Sequence, residues 1–280
     1  MQKNICVKIL LVIIAGFITV LVAGLLWLSR PLPDSSVPRN ALNSDYLIAH
    51  AGGGIDGEVY TNSKEAVINS LNNGYRFIEL DLYQTADSDF VCLHNLSDFN
   101  KMTASDYQTI DSKTFISKKL YGKLTPMTLQ DAIEIWKEKN FCFVTDKISD
   151  PEILNRYFVA NRDRVIVEAF TMEDYIKLEE DGYKPMLSIM AMNVRGLARY
   201  VYNTIRYHKR IRRIVTNSSI SKYTLRIYRR LGAECIAVYS IDDAVSGKKY
   251  EREYVEKYAG KEVDFVYTDF LIPQIKNEFN

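Results

Sequence analysis

The sequence is short of the residues that organise several familiar kinds of protein. It has four cysteines in 280 residues, at 6, 92, 142 and 235. No two lie at the spacing of a zinc site, and their scatter does not suggest a disulfide framework. Cys92 and Cys142 sit in apolar runs and read as small buried hydrophobes. Charge of one sign is also missing. Lys and Arg number 36 against 35 Asp and Glu, a net charge of +1, so no bulk field attracts a polyanion and nucleic acid is not expected as a partner. There is no internal repeat and no low-complexity tract. The glycine-rich stretch "AGGGIDG" at 51–57 does not have the G-x-G-x-x-G spacing of a dinucleotide fold, which counts against a doubly wound open sheet. Histidine is scarce, three in all, so where each one falls is informative.

One long uncharged run is present. Ile9 to Leu28, "ILLVIIAGFITVLVAGLLWL", matches the ~20 residues that cross a bilayer core. Lys3 and Lys8 precede it, and Trp27 and Arg30 stand at its far end as interfacial anchors do. A cleaved leader has a shorter apolar region, ~7–15 residues, and a small-x-small cleavage site, which "LLWLSRPLP" does not offer. The reading is therefore an uncleaved anchor over residues 1–30 that crosses the cell membrane once. Its N-terminus lies inside and the rest of the chain outside the cytoplasm. Residues 31–45, rich in Pro and Ser, form a linker, and 46–280 form one domain.

From Tyr46 onward, strand and helix patterns alternate. Strand candidates fall at 46–50, 76–83, 90–94, 141–146, 164–170, 186–190, 213–217, 235–240 and 264–268. Between them, stretches such as Ser63–Asn73, Thr128–Lys139, Met172–Asp181, Ser221–Leu231 and Tyr250–Tyr258 carry apolar residues at helical spacing. Many strands are apolar on both faces, as parallel strands covered by helices are. Repeated βα units point to an α/β fold, a (β/α)8 TIM-type barrel preceded by one N-terminal transmembrane helix.

Carboxylates appear where a barrel strand should be apolar. In "RFIELDLYQT", Ile78, Leu80 and Leu82 share one face and Glu79 and Asp81 the other. Two buried like charges require something positive between them. A hard divalent cation, Ca²⁺ or Mg²⁺, suits oxygen ligands of this kind. His50 closes the first apolar run, His94 closes "FVCLH", and Asp146 ends "FCFVTD". The C-terminal ends of barrel strands converge on one face, the face that carries the chemistry. Two imidazoles and three carboxylates thus meet at one mouth. Glu168, which ends "VIVE", joins its lining. His208 lies within the basic stretch "RYHKRIRR" and is not assigned to the site.

The order of these elements resembles the glycerophosphodiester phosphodiesterase family. The motifs read His50-Ala51-Gly52, Asn62-Ser63, Gly74 to Asp81, and His94-Asn95, followed by "TPMTLQDAIEIW" and, near the end, "VDFVYTDFLIP". The resemblance implies a barrel of the phospholipase-C-like type acting on a phosphodiester, a lipid head group or a glycerol-phosphate polymer. It implies His50 and His94 as acid and base and one divalent cation on Glu79, Asp81 and a third carboxylate; Gly52, Gly53, Asn62, Lys147 and Glu168 are the expected substrate contacts. A neighbouring hydroxyl of the substrate would attack first, giving a cyclic phosphate. The chain departs from the family pattern at three places. Ala51 stands where the family has a phosphate-gripping Arg, and Thr61 where it has Glu. The third ligand strand reads Val144-Thr145-Asp146-Lys147, so that strict alignment selects Thr145 and a one-residue shift selects Asp146, the reading adopted here. These departures leave open an inactive barrel kept as a binding or assembly module, or a related phospholipase on the same barrel.

Overall fold

Alternation along each strand decides which side chains look into the barrel and which look out. The structure, a computed structural model, describes residues 2–30, 45–189, 196–239 and 247–274. The linker expected over 31–45 lies, but for its last residue, outside the described residues. The strands are β1 (Leu47–Ala49), β2 (Phe77–Gln84), β3 (Phe90–Cys92), β4 (Cys142–Asp146), β5 (Val165–Ala169), β6 (Lys184–Ser188), β7 (Arg213–Asn217), β8 (Cys235–Tyr239) and β9 (Phe265–Thr268). All but β3 run parallel in the order β1-β9-β8-β7-β6-β5-β4-β2, and the β1–β2 pairing closes the ring. This is the expected eight-stranded α/β barrel, and the closing pair rules out an open sheet.

Two apolar layers follow from the period of two. Ile78, Leu80, Phe143, Val167, Ile214 and Ile236 point outward and pack against the surrounding helices. Ile48, Val144, Ile166, Met186, Val215 and Tyr267 fill the interior. Burying each aliphatic side chain is worth about 1.5–3 kcal/mol, so a register slip that exchanged the layers would be heavily penalised. On β2 the inward set is Phe77, Glu79 and Asp81. The lower interior is therefore apolar, and its upper end is acidic. The helix Leu129–Lys139 starts with a reciprocal cap between Thr128 and Asp131, each side chain bonding the other's backbone N–H.

Strand β3 corrects one expectation. It is not a stave of the barrel. It runs antiparallel to the upper end of β2, pairing Leu82 with Cys92 and Gln84 with Phe90. His94 therefore reaches the mouth because the chain turns back over it, with Leu93 N–H bonded to the Asp81 carbonyl. The excursion beyond β3 carries the short helices Leu96–Thr103 and Ser112–Ile116 and packs its own small core around Leu93, Phe99 and Phe115.

The N-terminal run is a helix, Gln2–Ser29. Its described apolar side chains, Leu11, Val12, Phe17 and Val20 among them, are exposed. Among the described residues, no helix is long and apolar enough to cross a membrane. The helix expected over 9–28 is thus present, and the span is not established by it.

Candidate active site

β1 ends at Ala49, and the chain tightens into a single 3₁₀ turn, His50–Gly52. Ala51 takes a left-handed conformation there (φ 47°). That turn aims the Ala51 N–H at Glu79, whose Oε2 accepts it at 2.7 Å. His50 faces the barrel axis, 6% exposed, with its Nδ1 3.3 Å from one Asp269 oxygen and 3.4 Å from the other. Burial alone would lower the imidazole pKa, but the Asp269 carboxylate, with Glu79 and Asp81 behind it, outweighs burial and raises it to about 10.

Glu79, Asp81 and Asp146 are all buried, and each offers an oxygen within 4.8 Å of the others. Burial, and then the Asp81 charge, holds the Glu79 pKa well above the usual carboxylate range. Burial and the Asp146 charge raise Asp81 as well. Glu79 Oε1 has no hydrogen-bond partner although it is buried. A carboxylate oxygen in that condition costs several kcal/mol unless something positive meets it. An all-oxygen donor set with one unsatisfied oxygen fits a hard divalent cation. Lys147, at the top of β4 with φ 71°, partly balances the cluster, its Nζ 3.3 Å from Asp146 and 3.9 Å from Asp81.

The register places the third carboxylate. Asp146 pairs with Asp81 across the β2–β4 ladder, while Thr145 pairs with Leu80 on the outward face. Thr145 is fully buried between sheet and helices, so it is not at the mouth.

His94 is held by a second carboxylate. Its Nδ1 lies 2.6 Å from Asp98 Oδ2, and Asn95 Nδ2 donates to the same oxygen at 2.8 Å. Asn95 also caps the helix Leu96–Thr103 through the Asp98 N–H. Between the two imidazoles stands Tyr60. Its ring centroid is 4.6 Å from His50 and 5.2 Å from His94, on a backbone with φ 59°, a conformation that bulky residues seldom adopt. On the far side of His50, Tyr239 stacks on Tyr267 at 4.0 Å. Tyr239 donates its hydroxyl to Glu168 at 2.7 Å. Burial, and the nearby Asp146 charge, raise the Glu168 pKa to about 8.

Three expectations from sequence change here. Asn62 does not face the cavity. It is fully buried, and its side-chain amide is engaged twice by Asp81, donating to Oδ2 at 2.9 Å and accepting the Asp81 N–H at 3.0 Å. It positions a carboxylate and is not placed to touch substrate. Gly53 is not a phosphate cradle either. Its N–H bonds the His50 carbonyl, and the next one, of Gly54, bonds the Asp269 carbonyl. A Cβ at Gly53 would stand 2.1 Å from Ser70 Oγ, and one at Gly54 2.3 Å from the Asp269 carbonyl oxygen. Close packing is what requires glycine at both positions. At Gly52, φ 84°, a Cβ would stand 3.4 Å from Ala66 Cβ and from Val67 Cγ2. Third, Asp269, in the closing segment "VDFVYTDFLIP" and not assigned to the site from sequence, pairs with His50.

Sequence reasoning missed Asp98, Tyr60 and Tyr239. The spacing His94-Asn95-x-x-Asp98 was a usable signal for the first. Nothing marked Tyr60 or Tyr239 among nineteen tyrosines.

No protein-family model matches the chain, and no curated protein matches it. Solved structures do. A glycerophosphoryl diester phosphodiesterase from Parabacteroides distasonis superposes with a TM-score of 0.59 at 17% identity, over 87% of this chain and 90% of that one. A glycerophosphodiester phosphodiesterase from Agrobacterium tumefaciens gives 0.59 at 17%, over 80% and 96%. A phosphodiesterase from Oleispira antarctica, solved with its product sn-glycerol-3-phosphate, gives 0.58 at 15%, over 81% and 93%. At these identities the likeness is one of fold.

Proposed function

We propose that the chain is a metal-dependent phosphodiesterase of the glycerophosphodiester phosphodiesterase family, anchored in the cell membrane by its first helix. The observation that carries the reading is the buried triad Glu79, Asp81 and Asp146 at the barrel mouth, flanked by two imidazoles that each have their own carboxylate. A barrel kept only for binding has no use for that set.

When bound by the triad, a divalent cation, Ca²⁺ or Mg²⁺, neutralises charge developing on the phosphoryl oxygens. The chain's own residues move the protons. Asp269 and Asp98 each engage Nδ1 of their histidine, which leaves Nε2 of His50 and of His94 for transfer. One imidazole takes the proton of the attacking hydroxyl, and the other gives a proton to the leaving alkoxide, each role worth ~10²–10⁴ in rate. Lys147 is the cation at the mouth nearest to where phosphate would lie, and with Ala51 in place of an arginine it is the side chain assigned to hold the anion. Glu168 and Gly52 complete the substrate lining. The substrate is a glycerophosphodiester or a related diester, with the glycerol-3-phosphate complex of the Oleispira protein as the nearest chemical guide.

The anchor rests on the uncharged run from Ile9 to Leu28 and on the exposed apolar side chains of its helix. With lysines before the run, the N-terminus stays inside and the barrel lies outside the cytoplasm.

The test is alcohol release from a panel of glycerophosphodiesters by the full chain, with and without Ca²⁺ or Mg²⁺. Asp146→Ala should remove metal binding and turnover together, and Thr145→Ala should keep the metal. His50→Ala and His94→Ala should each remove turnover and leave metal binding intact. A chain that binds metal and cleaves nothing in the panel would overturn the enzyme reading.

A further inference from the structure

The chain enters the barrel on the side away from its mouth. Asp146 ends β4, Asp81 is level with it on β2, and Glu168 stands one residue before the end of β5. Asp45 immediately precedes β1, and its ion pair with Arg76, at 2.8 Å, ties it to the start of β2. Both residues sit at strand N-terminal ends, so the chain enters β1 from the face opposite the site.

The end of the first helix sits at that same face. The Arg230 guanidinium lies 5.0 Å over the Trp27 ring and also bonds the Arg30 carbonyl. Arg230 and Leu231 end the helix Lys222–Leu231, which delivers the chain to the N-terminal end of β8. Arg210 donates to the next residue's carbonyl, Gly232, at 3.1 Å. Arg210 and Arg212 precede β7, more than half exposed, and share Glu234 at 3.5 and 4.0 Å. Lys209 alongside pairs with Glu179. Trp27, Arg230, Leu231, Arg210 and Arg212 therefore form one continuous strip. Its cations outnumber its acids, and it begins at the residue that would lie in the membrane interface.

We propose that this strip docks the barrel on the surface of an anionic bilayer, so that the mouth opens away from the membrane that holds the anchor. The inference rests on the anchored-phosphodiesterase reading and narrows its substrate. The diester arrives from the aqueous side, and head groups of the bilayer that carries the protein are out of reach. Tryptophan at the interface and arginines against lipid phosphate are the groups that favour such a surface.

The experiment places the full chain, with Cys6→Ser, in nanodiscs of phosphatidylglycerol and phosphatidylcholine that contain a quencher-labelled head group. One fluorophore is attached at Asp163→Cys, before β5 on the docking face. In a second protein it is attached at Ser219→Cys, after β7 on the mouth side. Quenching at 163 should exceed that at 219 by at least twofold. Combined Arg210→Gln, Arg212→Gln and Arg230→Gln should shrink that difference in anionic discs and leave the protein unchanged in neutral ones. Turnover of a soluble glycerophosphodiester should exceed that of phosphatidylglycerol in the same disc by more than tenfold. Equal quenching, stronger quenching at 219, or comparable cleavage of the disc's own lipid overturns the proposal, and an unchanged difference in the triple variant overturns the basic strip as the contact. Failure of the chain to enter the disc overturns the anchor and this inference together. Correct quenching with no turnover of either diester supports the docking and overturns the phosphodiesterase reading alone.

Discussion

Each imidazole at the mouth has a carboxylate behind it, and the two arrangements invite separate tests. Asp269 raises His50 to about 10 despite burial that would lower it. Asp269→Asn removes that charge, so the limb of the pH–rate profile that belongs to His50 should move to lower pH. With the ring less firmly oriented, kcat should drop about 10–10²-fold, short of the ~10²–10⁴ that loss of the imidazole itself brings. A profile that keeps its shape would remove Asp269 from this role. Glu168 offers a stability test. Its pKa rises from 4.5 to about 8 on folding. Between those values the folded protein holds a proton that the unfolded chain has released, so stability falls as pH rises through the window, by at most about 1.4 kcal/mol per pH unit. In chelator, Glu168→Gln should show a shallower decline from pH 5 to pH 8 in urea unfolding than the unsubstituted protein. Parallel curves would contradict the raised value.

Elements decide which of these residues were legible beforehand. The strands were readable because both barrel layers are apolar, and β2 gave away its inward face through Glu79 and Asp81. The third carboxylate was ambiguous by one residue, because only the β2–β4 register shows Thr145, opposite Leu80, on the outward face and Asp146 level with Asp81. The direction of β3 was not legible. An apolar stretch like "FVCLH" has the same pattern whether it continues a barrel or folds back on its neighbour, and only the tertiary pairing distinguishes them. The glycine run was open to misreading for a similar reason, because flexibility and close approach demand the same residue. The loop that carries those glycines is pinned to β2 by Asn62, at φ 47°. Asn62→Ala would strand the buried N–H of Asp81 and place alanine in a left-handed conformation that asparagine tolerates better. The expected loss is about 2–4 kcal/mol in urea unfolding, with weaker metal binding as Asp81 loses its partner. A change below about 0.5 kcal/mol, the usual range for a surface substitution, would mean that other contacts hold the loop.

At the scale of the whole molecule, the barrel concentrates its electrostatic cost in one place. Three carboxylates that each offer an oxygen within 4.8 Å of the others, with Glu79 Oε1 buried without a hydrogen-bond partner, oppose folding whenever nothing positive stands among them. A ligand that binds only the folded state stabilises it by about 2.7 kcal/mol at a hundred times its Kd. For a domain of this size, each kcal/mol shifts Tm by roughly 2–4 °C. Saturating Ca²⁺ or Mg²⁺ should therefore raise the barrel transition by about 5–10 °C over a chelated sample. The triple variant Glu79→Gln, Asp81→Asn, Asp146→Asn separates two explanations of such a shift. If the ion acts by relieving the buried charge, the variant in chelator should melt at or above the unsubstituted protein in chelator, because neutral amides no longer repel one another. Added metal should then move it by nothing measurable. A variant that still responds to the ion would place the binding site elsewhere. One that melts far below the chelated parent would show that the three carboxylates hold the mouth together without a metal, which is the opposite of what the raised pKa values of Glu79 and Asp81 and the unpartnered oxygen of Glu79 imply.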